Sequence, residues 1–102
     1  MLRSPFHPGH FLQKLLDEHR IAQARLARHL GVETAVINRI CNRKRGISPS
    51  MAIKLSMALG TSPEFWLNLQ TLFELRLAEK KAWKLIKVLP TLKETRADSR
   101  VR

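Results

Sequence analysis

The sequence predicts an all-α protein, a compact bundle of about five helices whose last member extends beyond the others. Three observations carry that reading. Apolar residues recur three and four apart in successive segments from Phe11 to Leu89, the spacing that lines one face of a helix. No stretch alternates apolar and polar residues as a half-buried strand would. Glycines and Ser-Pro pairs fall between the segments, where helices stop and start. At 102 residues the chain can bury one modest core.

Met1–Pro8 (MLRSPFHP) reads as an irregular arm with two prolines. From Gly9 the pattern turns helical, with Phe11, Leu12, Leu15 and Leu16 on one face and Gln13, Lys14, Asp17 and Glu18 opposite. This helix should end near His19 or Arg20. The next stretch, Gln23 to Asn42 (QARLARHLGVETAVINRICN), reads as helix, tight turn, helix. Leu26, Ala27 and Leu30 form the apolar stripe of its first helix, and Ile37 and Ile40 that of its second. Gly31 sits where the first helix must stop, because glycine tolerates the left-handed conformation without steric cost. Val32 fills the corner, and Ala27 is small where two crossing helices come closest. Ala22 stands at an N-cap that a Ser or Thr would normally occupy, an omission costing about 1 kcal/mol. Such a helix-turn-helix places its second helix in a DNA major groove while the first crosses the backbone.

Arg43-Lys44-Arg45-Gly46 is then a basic turn. Ser48-Pro49 supplies a cap and a first-position proline for a fourth helix, with Met51, Ala52, Leu55, Ala58 and Leu59 facing the core and Gly60 ending it. Ser62-Pro63-Glu64 repeats the device and adds a carboxylate near the positive helix end. The helix that follows is expected to run from Pro63 to Leu89, stopped by Pro90, with Phe65, Trp66, Leu69, Leu72, Phe73 and Leu77 on its core face. Leu67, Leu75, Ala78, Ala82 and Trp83 do not all fall on that face. A helix apolar on more than one side is deeply buried or pairs with another chain, so these five are expected to form a homodimer interface. Residues 1–90 are thus expected to form one helix-turn-helix domain with a C-terminal dimerisation helix, and 91–102 a disordered basic tail.

The net charge of +11 is unevenly spread. Met1–Gly46 carries nine Lys/Arg against three acids, Ile47–Leu75 one against two, and Arg76–Arg102 nine against three. A basic block coinciding with a helix-turn-helix is the electrostatic footprint expected for DNA. Phosphate contacts are expected from Gln23, at the start of the motif's first helix, and from Arg43, Lys44 and Arg45, just past the second. Sequence reading falls to the exposed start of the second helix: Glu33, Thr34, Ala35, Asn38 and Arg39. Asn38 can bond adenine through N6 and N7, Arg39 can reach guanine or a phosphate, and Ala35 can touch a thymine methyl. A carboxylate near phosphates is repelled, so Glu33 either caps the helix poorly at the N-cap or accepts from a cytosine amine, and the cap is the favoured role.

The lone Cys41 cannot form an internal disulfide and reads as a small semi-buried filler. His7, His10, His19 and His29 have no cysteine companions at metal spacing and read as surface or capping residues, so no metal is expected. No Ser/His/Asp set, paired carboxylates or glycine-rich phosphate loop appears, so neither catalysis, a cofactor nor a small-molecule substrate is expected. No apolar run reaches membrane length and no secretory leader is recognisable, which predicts a cytoplasmic protein without membrane association.

The stretch His7–Leu77 resembles the HigA family of antitoxins, in the XRE group of phage-repressor-like helix-turn-helix proteins. The resemblance lies in HPG (His7–Gly9), LARHLGV (Leu26–Val32), INRICNRKRGISP (Ile37–Pro49) and ALGTSPEFWLNLQ (Ala58–Gln70). It implies a lambda-repressor-like bundle, a dimer, double-stranded operator DNA near the protein's own gene, and a HigB-like ribonuclease toxin acting on translated messages. The chain departs from the family where specificity is decided. The family usually has Ser at the position of Ala22, Ser or Thr at Glu33, longer polar residues at Thr34 and Ala35, and Gly at Arg43. A stand-alone repressor without a toxin, and a toxin-binding protein that has lost DNA binding, remain the alternatives.

Overall fold

The computed structural model describes residues 6–82 and 87–90. Its elements are α1 (Pro8–Glu18), α2 (Gln23–Leu30), α3 (Thr34–Cys41), α4 (Pro49–Leu59) and α5 (Pro63–Ala82), with no strand among the described residues. Helix α2 packs on α3, α4 on α5, α1 on both α3 and α5, and α2 on α4. None of these helices is long and apolar enough to cross a membrane.

The start of α1 differs from the sequence reading. The arm ends earlier than expected, because His7 is the N-cap and Pro8 opens the helix. Nδ1 of His7 accepts a 2.8 Å hydrogen bond from the Gly9 amide. His7 is only 4% exposed, and its ring meets that of Phe73 edge-on at 4.7 Å. Burial, followed by the nearby charge of Arg43, holds its pKa below the ordinary 6.5. A Cβ on Gly9 would lie 1.7 Å from the carbonyl oxygen of Ile40, so the backbones of α1 and α3 touch at the one residue that permits it.

The core is built from the expected faces. Leu12, Leu16, Ile37, Ile40, Ala52, Leu55 and Trp66 have no exposed surface. Phe11, Phe65 and Trp66 meet edge to face, joining α1 to α5. The Trp66 indole N–H donates to Thr61 Oγ1 at 2.6 Å, so the largest buried side chain leaves no polar atom orphaned. Cys41 is buried too, and its thiol is pushed up to about 11 by burial and by the charge of Asp17. It stays protonated and unreactive at neutral pH.

Four helix ends follow the predicted punctuation. Gly31 and Gly60 are left-handed, with φ of 74° and 77°. Ser48 caps α4 by accepting from the Met51 amide, and Ser62 accepts from the Phe65 amide at the start of α5. Two further ends carried no such signal, because their left-handed residues are arginines: Arg20 at φ 56° and Arg43 at φ 62°. Around each, the backbone closes the helix with the same pair of bonds. Arg20 and Ile21 donate to the carbonyls of Asp17 and Leu16, and Arg43 and Lys44 to those of Ile40 and Arg39.

The last helix is shorter than expected on its core side. Leu72 and Leu77, expected to face the core, are 48% and 40% exposed. Leu77 lies one turn past Phe73, which already meets His7 at the N-cap of α1, so α1 offers it nothing further to pack on. Leu72 instead stands about 100° round the helix from Phe73, at the edge of the core face. Helix was also expected through Leu89, yet residues 87–89 are not helical. Leu89 precedes Pro90, whose ring disfavours the helical conformation for the residue before it. Trp83 and the expected tail over residues 91–102 lie outside the described residues.

Candidate nucleic-acid interface

Helices α2 and α3 meet at the tight turn Gly31–Glu33, and Ile37, Ile40 and Leu26 are buried beneath them. The opposite side of α3 is therefore turned to solvent. Glu33, Thr34, Ala35, Asn38 and Arg39 are all exposed, as are Arg43, Lys44 and Arg45 beyond the helix end. Every residue expected to read bases is thus exposed to solvent, and so is the basic turn that follows them.

Two N-termini in this motif lack side-chain caps. Ala22 is the N-cap of α2 and Glu33 that of α3, and neither makes a capping hydrogen bond. Glu33 therefore occupies the cap position expected of it, and its poor capping amounts to no side-chain bond at all. The first N–H groups of α2 and α3 are left without a side-chain partner from those positions, as groups available to an anion would be.

Gln23 is half-buried rather than free. Its Nε2 donates to Gln13 Oε1 at 2.7 Å, and its Oε1 accepts from Asn38 Nδ2 at 3.1 Å. Asn38 Oδ1 in turn accepts from Asn42 Nδ2 at 3.1 Å, and Gln13 Nε2 donates to Asp17 Oδ1 at 2.7 Å. The structure thus brings Gln23 and Asn38 into direct contact. Each still has unused capacity, since an Asn or Gln amide has two N–H donors and two acceptor sites. Asn38 keeps one donor and one acceptor site, the pair that an adenine edge requires. Gln23 keeps one N–H for a phosphate.

The basic turn is anchored from behind. The Ile47 amide donates to Gln70 Oε1 at 2.8 Å, and a Cβ on Gly46 would lie within 3.0 Å of the Gln70 amide. Helix α5 thereby fixes the chain just after Arg43–Arg45. Gln13, Asn42 and Gln70 were not singled out from the sequence as site residues. Gln13 and Gln70 bond Gln23 and Ile47 on other elements, where periodicity carries no signal. Asn42, by contrast, lies one helical turn from Asn38, a spacing the sequence does display.

Of the residues expected to pair two subunits, Leu75 is 48% exposed and Ala78 is exposed. Leu67 is half-buried against the core. Ala82 closes the described helix, and Trp83 lies beyond it.

The chain matches the model of the family described as Helix-turn-helix over residues 12–66. It is 40% identical to the uncharacterised HTH-type transcriptional regulator YddM of Escherichia coli K12, covering 72% of this chain and 78% of that protein. Among solved structures it superposes on antitoxin GraA with a TM-score of 0.79 at 42% identity, covering 85% of this chain and 99% of that one. It superposes equally well, at 0.79 and 40% identity, on the Pseudomonas aeruginosa antitoxin HigA solved with the higBA promoter, covering 84% and 97%. By motif, fold and relatives alike, the chain belongs to the helix-turn-helix proteins of the HigA antitoxin family.

Proposed function

We propose that this chain is a sequence-specific DNA-binding antitoxin of a type II toxin–antitoxin pair, neutralising a HigB-like ribonuclease toxin and repressing its own operon. One observation carries the DNA half. The exposed face of α3, with Asn38 tied to Gln23 and flanked by Arg43, Lys44 and Arg45, belongs to a fold whose 40% identical relative was solved with promoter DNA. Helix α3 would lie in the major groove, Asn38 and Arg39 reading bases with Thr34 and Ala35 beside them. Gln23 and the basic turn would hold the flanking phosphates. The chain acts by binding, with no catalytic step of its own.

Two copies would bind together. A single small module buries too little surface to hold DNA tightly, whereas a two-fold dimer reads two half-sites. The exposed Leu75 and Ala78 on α5, continued in sequence by Ala82 and Trp83, are the surface for that pairing. The toxin half rests on the antitoxin relatives. The test is co-expression with the product of the adjoining reading frame, followed by pull-down and by binding to the upstream DNA. Capture of a small toxic ribonuclease and a shifted upstream duplex are expected. Upstream binding with no toxin captured would favour a stand-alone repressor, the reading that the transcriptional-regulator relative of Escherichia coli supports.

A further inference from the structure

Four hydrogen bonds join five side chains into one row across α1, α2 and α3. Asn42 donates to Asn38, Asn38 to Gln23, Gln23 to Gln13, and Gln13 to Asp17. Every link except the last joins two carboxamides. A row of carboxamides has no intrinsic direction, because turning every amide over exchanges donor for acceptor at each link and keeps all the bonds. Asp17 removes that freedom. An ionised carboxylate accepts and cannot donate, so Gln13 must turn its NH2 toward Asp17 and its oxygen toward Gln23. Gln23 must then offer NH2 to Gln13 and oxygen to Asn38, which leaves Asn38 Nδ2 facing Gln23 and Oδ1 facing Asn42. The link to Asp17 is charge-assisted and so stronger than the neutral links it orders.

We propose that Asp17 is a positioning residue for DNA sequence reading, fixing the donor–acceptor order of the Asn38 amide through Gln13 and Gln23. The proposal rests on the reading of Asn38 as a base-contacting residue. It matters because adenine presents an N7 acceptor beside an N6 donor. In one order the Asn38 amide meets both. In the other, NH2 faces NH2 and oxygen faces the N7 lone pair. Asp17 thus selects which base Asn38 accepts from two helices away, on α1 rather than on α3.

Asp17→Asn tests this, because an amide of nearly the same shape can both accept and donate and so restores the lost freedom. Asp17→Glu keeps a carboxylate and serves as the rescue. One readout is the side-chain amide resonances of Gln23 and Asn38 in the DNA-free protein by nuclear magnetic resonance. The other is the ratio of affinities for the best duplex selected from a random pool and for its scrambled counterpart. A ratio is needed because removing a negative charge raises affinity for every duplex. Asp17→Asn should shift both amides and lower the ratio roughly 3- to 10-fold, the size of one hydrogen bond, and Asp17→Glu should restore both. In an Asn38→Ala background the same change should alter the ratio less than about 2-fold, since the route through Asn38 is gone. A ratio that falls in Asn38→Ala, with neither readout responding to Asp17→Asn, would overturn the proposal and leave the reading of bases by Asn38 standing. An equal effect of Asp17→Asn in both backgrounds would also overturn it. An undiminished ratio in Asn38→Ala would overturn the base-reading role and this proposal with it.

Discussion

Arg43 does two things that pull against each other. Its backbone is left-handed at φ 62°, a conformation costing a side-chain-bearing residue roughly 1–2 kcal/mol. The exposed Arg43 follows α3 directly, where a flanking phosphate would lie if that helix entered the major groove as proposed. Arg43→Gly should therefore raise stability by about 0.5–1 kcal/mol in denaturant melts, after the entropy of glycine is subtracted. The same change should weaken DNA binding and flatten its salt dependence. Stability and affinity moving together would contradict this division of roles. His7 sets a pH limit. Its Nδ1 accepts from the Gly9 amide and must stay unprotonated to do so, and its pKa lies below 6.5 in the folded chain. The unfolded chain thus takes up the proton more readily. Stability from this residue is complete above about pH 6.5 and is lost as pH falls from there toward the folded value. His7→Asn supplies a cap that does not titrate, so its melting temperature should fall less between pH 7.5 and pH 5 than that of the parent chain.

At the scale of elements, most of the fold was legible because its punctuation is local. Ser48-Pro49, Ser62-Pro63, Gly31 and Gly60 each act within a few residues, and helical spacing found Leu12, Leu16, Ile37, Ile40, Leu55 and Trp66. What escaped was either unconventional or non-local. His7 is one of the histidines read as surface or capping residues, and it does cap a helix. Its place at the start of α1 and the two left-handed arginines carry no compositional signal, although the family's glycine at the Arg43 position pointed to that conformation. The Asp17-to-Asn42 row has its two end links at i, i+4 spacing, but the two links through Gln23 depend on how three helices cross, which no spacing encodes. Leu77 follows the core period yet stands beyond the core's reach, and Leu72 stands at the edge of the core face. The close approach of α1 to α3 at Gly9 gives a direct test of element packing. Gly9→Ala must push the two helices apart, at a cost of about 1–3 kcal/mol, and should lower operator affinity with no DNA-facing residue changed. On α5, Leu75→Glu should convert the proposed dimer to monomer at micromolar concentration in sedimentation while leaving the helical signal unchanged. A parent chain that sediments as a monomer under those conditions would remove the dimer.

Across the whole molecule, charge and shape divide the labour of binding. On the function proposed above, the net charge of +11 would draw the protein to any duplex, and the exposed face of α3 would decide which one. These contributions respond differently to salt, since releasing counterions depends on the number of phosphates neutralised and not on the sequence. The most direct test is therefore affinity for operator and scrambled duplex at several salt concentrations, measured for the parent chain, Lys44→Ala and Asn38→Ala. Lys44→Ala should weaken both duplexes alike. It should also lower the slope of log affinity against log salt by roughly one unit for every phosphate that each subunit no longer neutralises. Asn38→Ala should cost about 1–3 kcal/mol per half-site on the operator and little on the scrambled duplex. Equal weakening of both duplexes by Asn38→Ala, with the effect of Lys44→Ala confined to the operator, would contradict this division between charge and shape.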